Sequence, residues 1–200
     1  MGFATKFGLA GAASVAVAMV ALAHPAGDPP ILGVIAAQPP KDRIPLPPGS
    51  GAELELPDAS LHTVKSVLNV PDRMEYGDFV WNEEGVADGE LLVRIDLRAQ
   101  TVAVFRGGHE IGTAVILYGA DGKQTPRGIY PIIEKKEQHR SNLYDAEMPY
   151  MLRLTYDGIA IHAADVRAGR ATHGCIGVPD GFARSLFAAV DPGDRVVIVT

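Results

Sequence analysis

The sequence predicts a mainly β domain over about residues 90–200, a sandwich with a single helix near its end. Three observations carry this. Residues 91–97, "LLVRIDL", set Val93, Ile95 and Leu97 against Arg94, Asp96 and Arg98 in the period of a half-buried strand. Short apolar runs follow one another across turn-forming residues, and "HEIGTAVILYG" is apolar on both faces, as a strand inside a sandwich must be. Helical spacing is confined to "DGFARSLFAAV", where Phe182, Leu186 and Val190 fall on one face.

Taken in order, the chain starts with Lys6 ahead of an uncharged apolar run from Phe7 to Ala23 that ends in the small-x-small triplet Ala21-Leu22-Ala23. This reads as a secretory signal peptide over residues 1–23. The competing reading is an uncleaved anchor that tethers the chain to a membrane, since the run is only slightly short of a bilayer span. Either reading exports the rest. No cysteine lies near the signal, which excludes a lipid-modified one.

Residues 24–58 hold nine of the fifteen prolines, several in pairs, and proline favours extended, solvated backbone. A semi-rigid linker is expected there. Residues 59–89 form an N-terminal extension with no functional signal, containing one short helix candidate, "ASLHTVKSVLNV", stopped by Pro71. In the domain itself, "QTPRGIYPII" places Pro126 and Gly128 at the second and fourth positions of a type I turn before a strand. Asp157-Gly158 separates the strands "PYMLRLTY" and "GIAIH" with a hairpin signal, and Asp191-Pro192-Gly193-Asp194 turns the chain into the last strand, "RVVIVT".

Length and composition bound the function. A chain of 200 residues with 47% hydrophobic content builds one ordinary core. The net charge of -6 and the absence of a Lys/Arg run leave no footprint for nucleic acid.

The chemistry concentrates in "ATHGCIGVP", residues 171–179, which contains the only cysteine. Cys175 cannot form an internal disulfide, and an unpaired thiol in an oxidising compartment is a liability unless buried or used. The thiolate is the nucleophile, and a thiol with pKa about 8.5 is mostly protonated near neutrality. A catalytic cysteine therefore needs a histidine in reach. His162, at a strand end, and His173, two residues before the thiol, both qualify, and spacing does not choose between them. Gly174 leaves its N–H unobstructed, so adjacent N–H groups in a tight turn form a candidate oxyanion hole. Thr172 is placed to hydrogen-bond an imidazole. Three bland readings compete: a buried core thiol, a zinc site made by Cys175, His162 and His173, and a structural His162. The first is disfavoured by the flanking His and Gly. The second is weakened by the lack of a CxxC or HExxH pair, so no metal is expected.

Together, "IHAADVRAGRATHGCIGVP", the upstream "YGADGKQTPRGIYPI" and "MPYMLRLTYDGIAIH" resemble the L,D-transpeptidases of the YkuD type, over about residues 91–200. In that family a histidine after a strand precedes Ser/Thr-His-Gly-Cys by a spacing like the one here. The resemblance implies a YkuD-like β-sandwich with one helix after the cysteine motif, acting on peptidoglycan stem peptides without cofactor, in the periplasm or cell envelope. It makes Cys175 the nucleophile and His162 its base, with Thr172, His173 and Gly174 shaping the pocket and the N–H groups of Gly174 and Cys175 holding the oxyanion. Arg167 and Arg170 are candidates for a stem carboxylate, although solvated loop charge explains them equally well. The expected reaction is 3→3 cross-linking of tetrapeptide stems through a cysteine acyl-enzyme. Alternatives are an L,D-carboxypeptidase, a protein-to-wall ligase, or a catalytically silent wall-binding module. Two positions depart from the family pattern. Gly177 stands where many members have Arg or Asn, and Ala163 follows the first histidine where many have Gly.

Overall fold

The computed structural model describes residues 42–47, 49–50, 52–70, 73–119, 123–141 and 145–200. The leader and tether reading over residues 1–23, and the linker as far as residue 41, lie outside them. No helix among the described residues is long and apolar enough to cross a membrane.

The strands are β1 (Arg43–Pro45), β2 (Glu53–Glu55), β3 (Leu61–Thr63), β4 (Ser66–Leu68), β5 (Phe79–Trp81), β6 (Leu91–Asp96), β7 (Thr101–Arg106), β8 (His109–Val115), β9 (Gly128–Pro131), β10 (Glu134–Lys136), β11 (Met151–Arg153), β12 (Ala160–Ala163), β13 (Ile176–Val178) and β14 (Arg195–Val199). The helix α1 (Asp180–Ala189) follows β13. A large sheet runs β1-β4-β8-β7-β6-β14-β9, with β5 also paired to β8. A small one runs β10-β11-β12-β13, and β2 and β3 form a separate hairpin. Antiparallel pairs dominate, but β4–β8, β6–β14 and β12–β13 are parallel.

The period-two reading explains the layers. Val93 and Ile95 of β6, Val102 and Val104 of β7, and Val196 and Ile198 of β14 face one core. Leu152, Ile161, Ala163, Ile176 and Val178 meet them from the small sheet, and Phe182, Ala183 and Leu186 meet them from α1. Trp81 and Phe79 stack edge-on against Phe182, with ring centroids 5.4 and 6.3 Å away. A sandwich with one helix, as the patterning predicts, is what forms.

The opposite face of the large sheet carries Leu92, Phe105 and Val197, which uncovered would form a wet apolar patch. Leu56 and Val64 bury against them, with Leu46, Leu54 and Val67 packed around. This corrects the linker expectation for residues 42–58: despite Pro45, Pro47 and Pro57, the segment adds β1 to the sheet edge and Leu56 to a core. Pro45 is tolerated because β1 is an edge strand.

The helix expected within residues 59–70 is also corrected, since this stretch forms β3 and β4. Thr63, Val64 and Val67 are β-branched and favour strands. Ser66 and Leu68 are buried while Val67 between them is not, a two-residue alternation. The pairing of β4 with β1 and β8 supplies the backbone partners that settle the ambiguity.

Gly177 in β13 is bridged to Leu117, just beyond β8. Its N–H donates to Leu117 O at 2.9 Å and its C=O accepts from Leu117 N at 2.8 Å. A Cβ at position 177 would lie 2.8 Å from the Ala164 methyl.

Two outcomes follow for stability. Leu56→Ala is expected to cost about 2–5 kcal/mol in urea unfolding, whereas a solvated linker residue would cost almost nothing. Gly177→Ala should cost about 1–3 kcal/mol by overpacking. Adding Ala164→Gly should return part of that loss, and a strictly additive double mutant would contradict the contact.

Candidate active site

The parallel pairing of β12 with β13 sets the site. His162 lies opposite Gly177, so both point to the same face, and Cys175, two residues before Gly177, shares it. The alternate residues Ile161, Ala163, Ile176 and Val178 point the other way, into the core. The chain thus sorts chemistry from packing by parity: apolar side chains inward, His162 and Cys175 outward.

Outward is not into bulk water. His162 and Cys175 line a cavity of about 520 Å³, whose wall includes Ala160, Met148 and Met151. These three form an apolar cluster against which the half-buried Cys175 packs. Polar groups ring the remainder: Lys123, His139, Arg153, Asp157, Arg170 and His173. Tyr156, at the tip of the β11–β12 hairpin, also lines it while remaining 91% exposed. Arg153 is shared with Glu134, its cross-strand partner, at 2.9 Å.

His162 Nδ1 lies 2.8 Å from the carbonyl oxygen of Ala163. A carbonyl only accepts, so Nδ1 carries the proton and Nε2 keeps its lone pair. Burial holds the imidazole pKa below its ordinary 6.5, and nearby His139 acts in the same direction, against the bond to Ala163. Burial pushes the Cys175 thiol above its ordinary 9.0, and Asp157 adds to this, while the Ala160 backbone N–H and Lys123 pull it down. The thiol donates weakly to Gly158 O at 3.5 Å. Both groups therefore rest neutral near pH 7. A neutral imidazole with a free Nε2 lone pair and a neutral thiol thus line the same cavity.

The structure gathers most of the expected residues and redistributes their roles. His173 is exposed on the cavity wall. Gly174 is buried at φ +96°, and a Cβ there would meet Ile159 Cδ1 at 2.8 Å, so a side chain is excluded on two grounds. Thr172 is a correction. Its hydroxyl donates to the carbonyl of Cys175 rather than to an imidazole, and the His162 ring is oriented by Ala163 O instead. Of the two arginines, Arg170 lines the cavity, whereas exposed Arg167 is paired with Asp165 and is not among the lining residues. Among the described residues, no three His, Cys, Asp or Glu side chains are grouped to hold a metal ion.

Four contributors carried no sequence signal of this kind. Lys123, His139 and Arg153 arrive from separate segments, and only the sheet pairing brings them to one cavity. Thr125 was legible as the start of a turn and strand entry that resembles the family's, but not as a site contact, yet its buried hydroxyl donates to Gly174 O at 2.9 Å.

The comparisons with known proteins agree with this architecture. A family model of the L,D-transpeptidase catalytic domain, YkuD, matches residues 90–198. The solved L,D-transpeptidase of Stackebrandtia nassauensis is 25% identical with a TM-score of 0.53, the match covering 57% of each chain. L,D-transpeptidase 1 of Mycobacterium tuberculosis is 24% identical with a TM-score of 0.50, covering 56% of this chain and 62% of that one. L,D-transpeptidase 3 of the same organism, solved with a faropenem-derived adduct, is 21% identical with a TM-score of 0.50, covering 55% and 60%. This chain thus spans less than two thirds of the length of each. No sequence among the curated proteins matches it. Since the matched region begins just before β6, ends within β14 and takes in His162 and Cys175 with the whole small sheet, the chain belongs to the L,D-transpeptidase catalytic domain family.

Proposed function

We propose that the chain is an exported peptidoglycan L,D-transpeptidase that forms 3→3 cross-links through an acyl-enzyme on Cys175. The observation that carries this reading is the placement of His162 and Cys175 on one face of adjoining strands, opening into a single cavity. The donor is a tetrapeptide stem, whose carboxylates are matched by the cations Lys123, Arg153 and Arg170 at the cavity wall. Export through the 1–23 leader brings the enzyme to its substrate in the periplasm or envelope.

The reaction is two acyl transfers. Cys175 Sγ attacks the carbonyl of the L-centre of meso-diaminopimelate as the thiol proton passes to His162 Nε2. The tetrahedral oxyanion is held by the N–H groups of Gly174 and Cys175. The C–N bond breaks, His162 returns the proton to the departing D-Ala amine, and a thioester remains. An amine of a second stem then attacks the thioester, gives its proton to His162, and restores the thiol as the new amide forms. The steps as written need no metal or organic cofactor.

A defined tetrapeptide stem separates the outcomes. Release of D-Ala with appearance of a cross-linked dimer is expected. Tripeptide without dimer, in the presence of an acceptor stem, would assign a carboxypeptidase, and unchanged stem would leave only a silent wall-binding module. Cys175→Ala should abolish turnover, and His162→Ala should slow acylation by about 10²–10⁴-fold.

The pH dependence has a definite sign. His162 acts as a base only when neutral, and burial lowers its pKa, so kcat/KM should rise with pH through a midpoint below 6.5 and then level off. Iodoacetamide, which needs the thiolate, should react with Cys175 ever faster as pH climbs past 9.0. A thiol titrating below pH 7 would indicate a preformed ion pair and overturn the neutral resting state.

A further inference from the structure

The backbone on either side of the nucleophile is held by two threonine hydroxyls from different parts of the chain. Thr172 Oγ1 donates to the carbonyl of Cys175, three residues on. Thr125, 49 residues upstream of Gly174, donates to the carbonyl of Gly174 at 2.9 Å and accepts from the N–H of Gly119 at 2.9 Å. Thr125 is 5% exposed, so solvent is poorly placed to take over either bond.

The surroundings leave this bridge no slack. Gly119 and Gly174 are in direct contact: a Cβ on Gly119 would lie 2.8 Å from both the N and the Cα of Gly174. Residues 117–119 are also tied to the cysteine loop through Leu117 with Gly177 and through Thr172 N–H to Tyr118 O at 3.1 Å. Each of these bonds fixes the loop's distance from the large sheet. The Thr125 bond, by contrast, grips the peptide that joins Gly174 to Cys175. In a planar trans peptide the C=O and N–H point in opposite directions. Gly174, at φ +96°, is a residue whose flanking peptides could otherwise turn at little cost. Anchoring the Gly174 carbonyl therefore sets the direction of the Cys175 N–H.

We infer that Thr125 is a positioning residue for acylation: by holding the Gly174 carbonyl, it aims the Cys175 N–H at the oxyanion that forms when Cys175 attacks an acyl carbon. The inference rests on the acyl-transfer reading above. Thr125 touches neither substrate nor thiol. Its effect should appear only in reactions that build negative charge on a carbonyl oxygen.

Two reactions of the same thiol isolate that effect. Opening of a carbapenem forms a C–S bond at the lactam carbonyl, breaks the C–N bond and leaves a proton on the nitrogen, passing through an oxyanion. Alkylation by iodoacetamide forms a C–S bond with loss of iodide and passes through none. Both rates are measured by intact mass on the full chain, at one pH, for the wild type, Thr125→Ser and Thr125→Val.

Valine keeps the shape and removes the hydroxyl, and serine restores it. Thr125→Val is expected to slow acylation about 10–100-fold while alkylation stays within about threefold. Thr125→Ser should acylate within about threefold of wild type. If valine acylates like wild type, or if both reactions fall together, the assignment is wrong. Should the valine chain not fold, Thr125→Ala against Thr125→Ser carries the same comparison. A wild-type chain that is alkylated but never acylated fails differently: it removes the transpeptidase reading, and this inference goes with it.

Discussion

The site depends on the parallel pairing of β12 with β13. Antiparallel neighbours can be joined by a tight turn, but a parallel pair needs a crossover, and here residues 164–175 make it. The two candidate reacting residues flank it. His162 lies in the last turn of the pleat before the crossover, and Cys175 immediately precedes the strand that returns. The pairing register then decides parity. A slip of one residue would send Cys175 into the core and Ile176 into the cavity. The core opposes that slip, because Ile176 and Val178 are fully buried. Hydrophobic burial on one face thus maintains the geometry of the candidate site on the other.

Burial also sets the electrostatics of the pair. Moving a thiol and an imidazole out of water disfavours the charged form of each, raising one pKa and lowering the other. An imidazolium–thiolate pair would have to overcome both penalties, so the neutral pair is the resting state. The cost is low nucleophilicity at rest. Under the proposed function, the gain is a base that remains unprotonated below the usual imidazole range, in a pocket walled by Met148, Met151 and Ala160. Lys123, beside the cysteine loop, offsets part of the penalty on the thiol.

Much of the fold was legible because alternation survives wherever one face of a strand meets a core. Strands β6 and β14 and the spacing of Phe182, Leu186 and Val190 stand out for that reason. Residues 42–68 were misread because their strands are three residues long, too short for a period to register, and because prolines on an edge resemble prolines in a linker. What they cover, Leu92, Phe105 and Val197, lies far along the chain. In the site, residue type made Cys175 suspect, but thirteen residues of spacing left two imidazoles open. The family resemblance favoured His162, and the strand register puts it on the face that Cys175 shares. Thr125 and Lys123 stood in a segment that resembles the family, but their place in the site, like that of His139, was unreadable because no local pattern encodes a contact made by the packing of distant segments.

Gly177 shows how one such contact reshapes recognition. The position two after the cysteine points to the cavity face by parity, so in a chain with Arg or Asn there it could present a side chain beside the thiol. Here its N–H and C=O are both bonded to Leu117, and the Ala164 methyl occupies the place of its Cβ. Position 177 can therefore offer a substrate neither a side chain nor a backbone donor. Under the proposed function, the positive charge for an anionic stem comes from the cavity wall, where Arg153 is already shared with Glu134. Lys123 and Arg170 remain, one beside the nucleophile and the other on the crossover. Under the proposed function, recognition has moved from the strand that follows the cysteine to the segments that flank it. The loss of a side chain at 177 and the presence of Ala at 164 are then two halves of one packing solution.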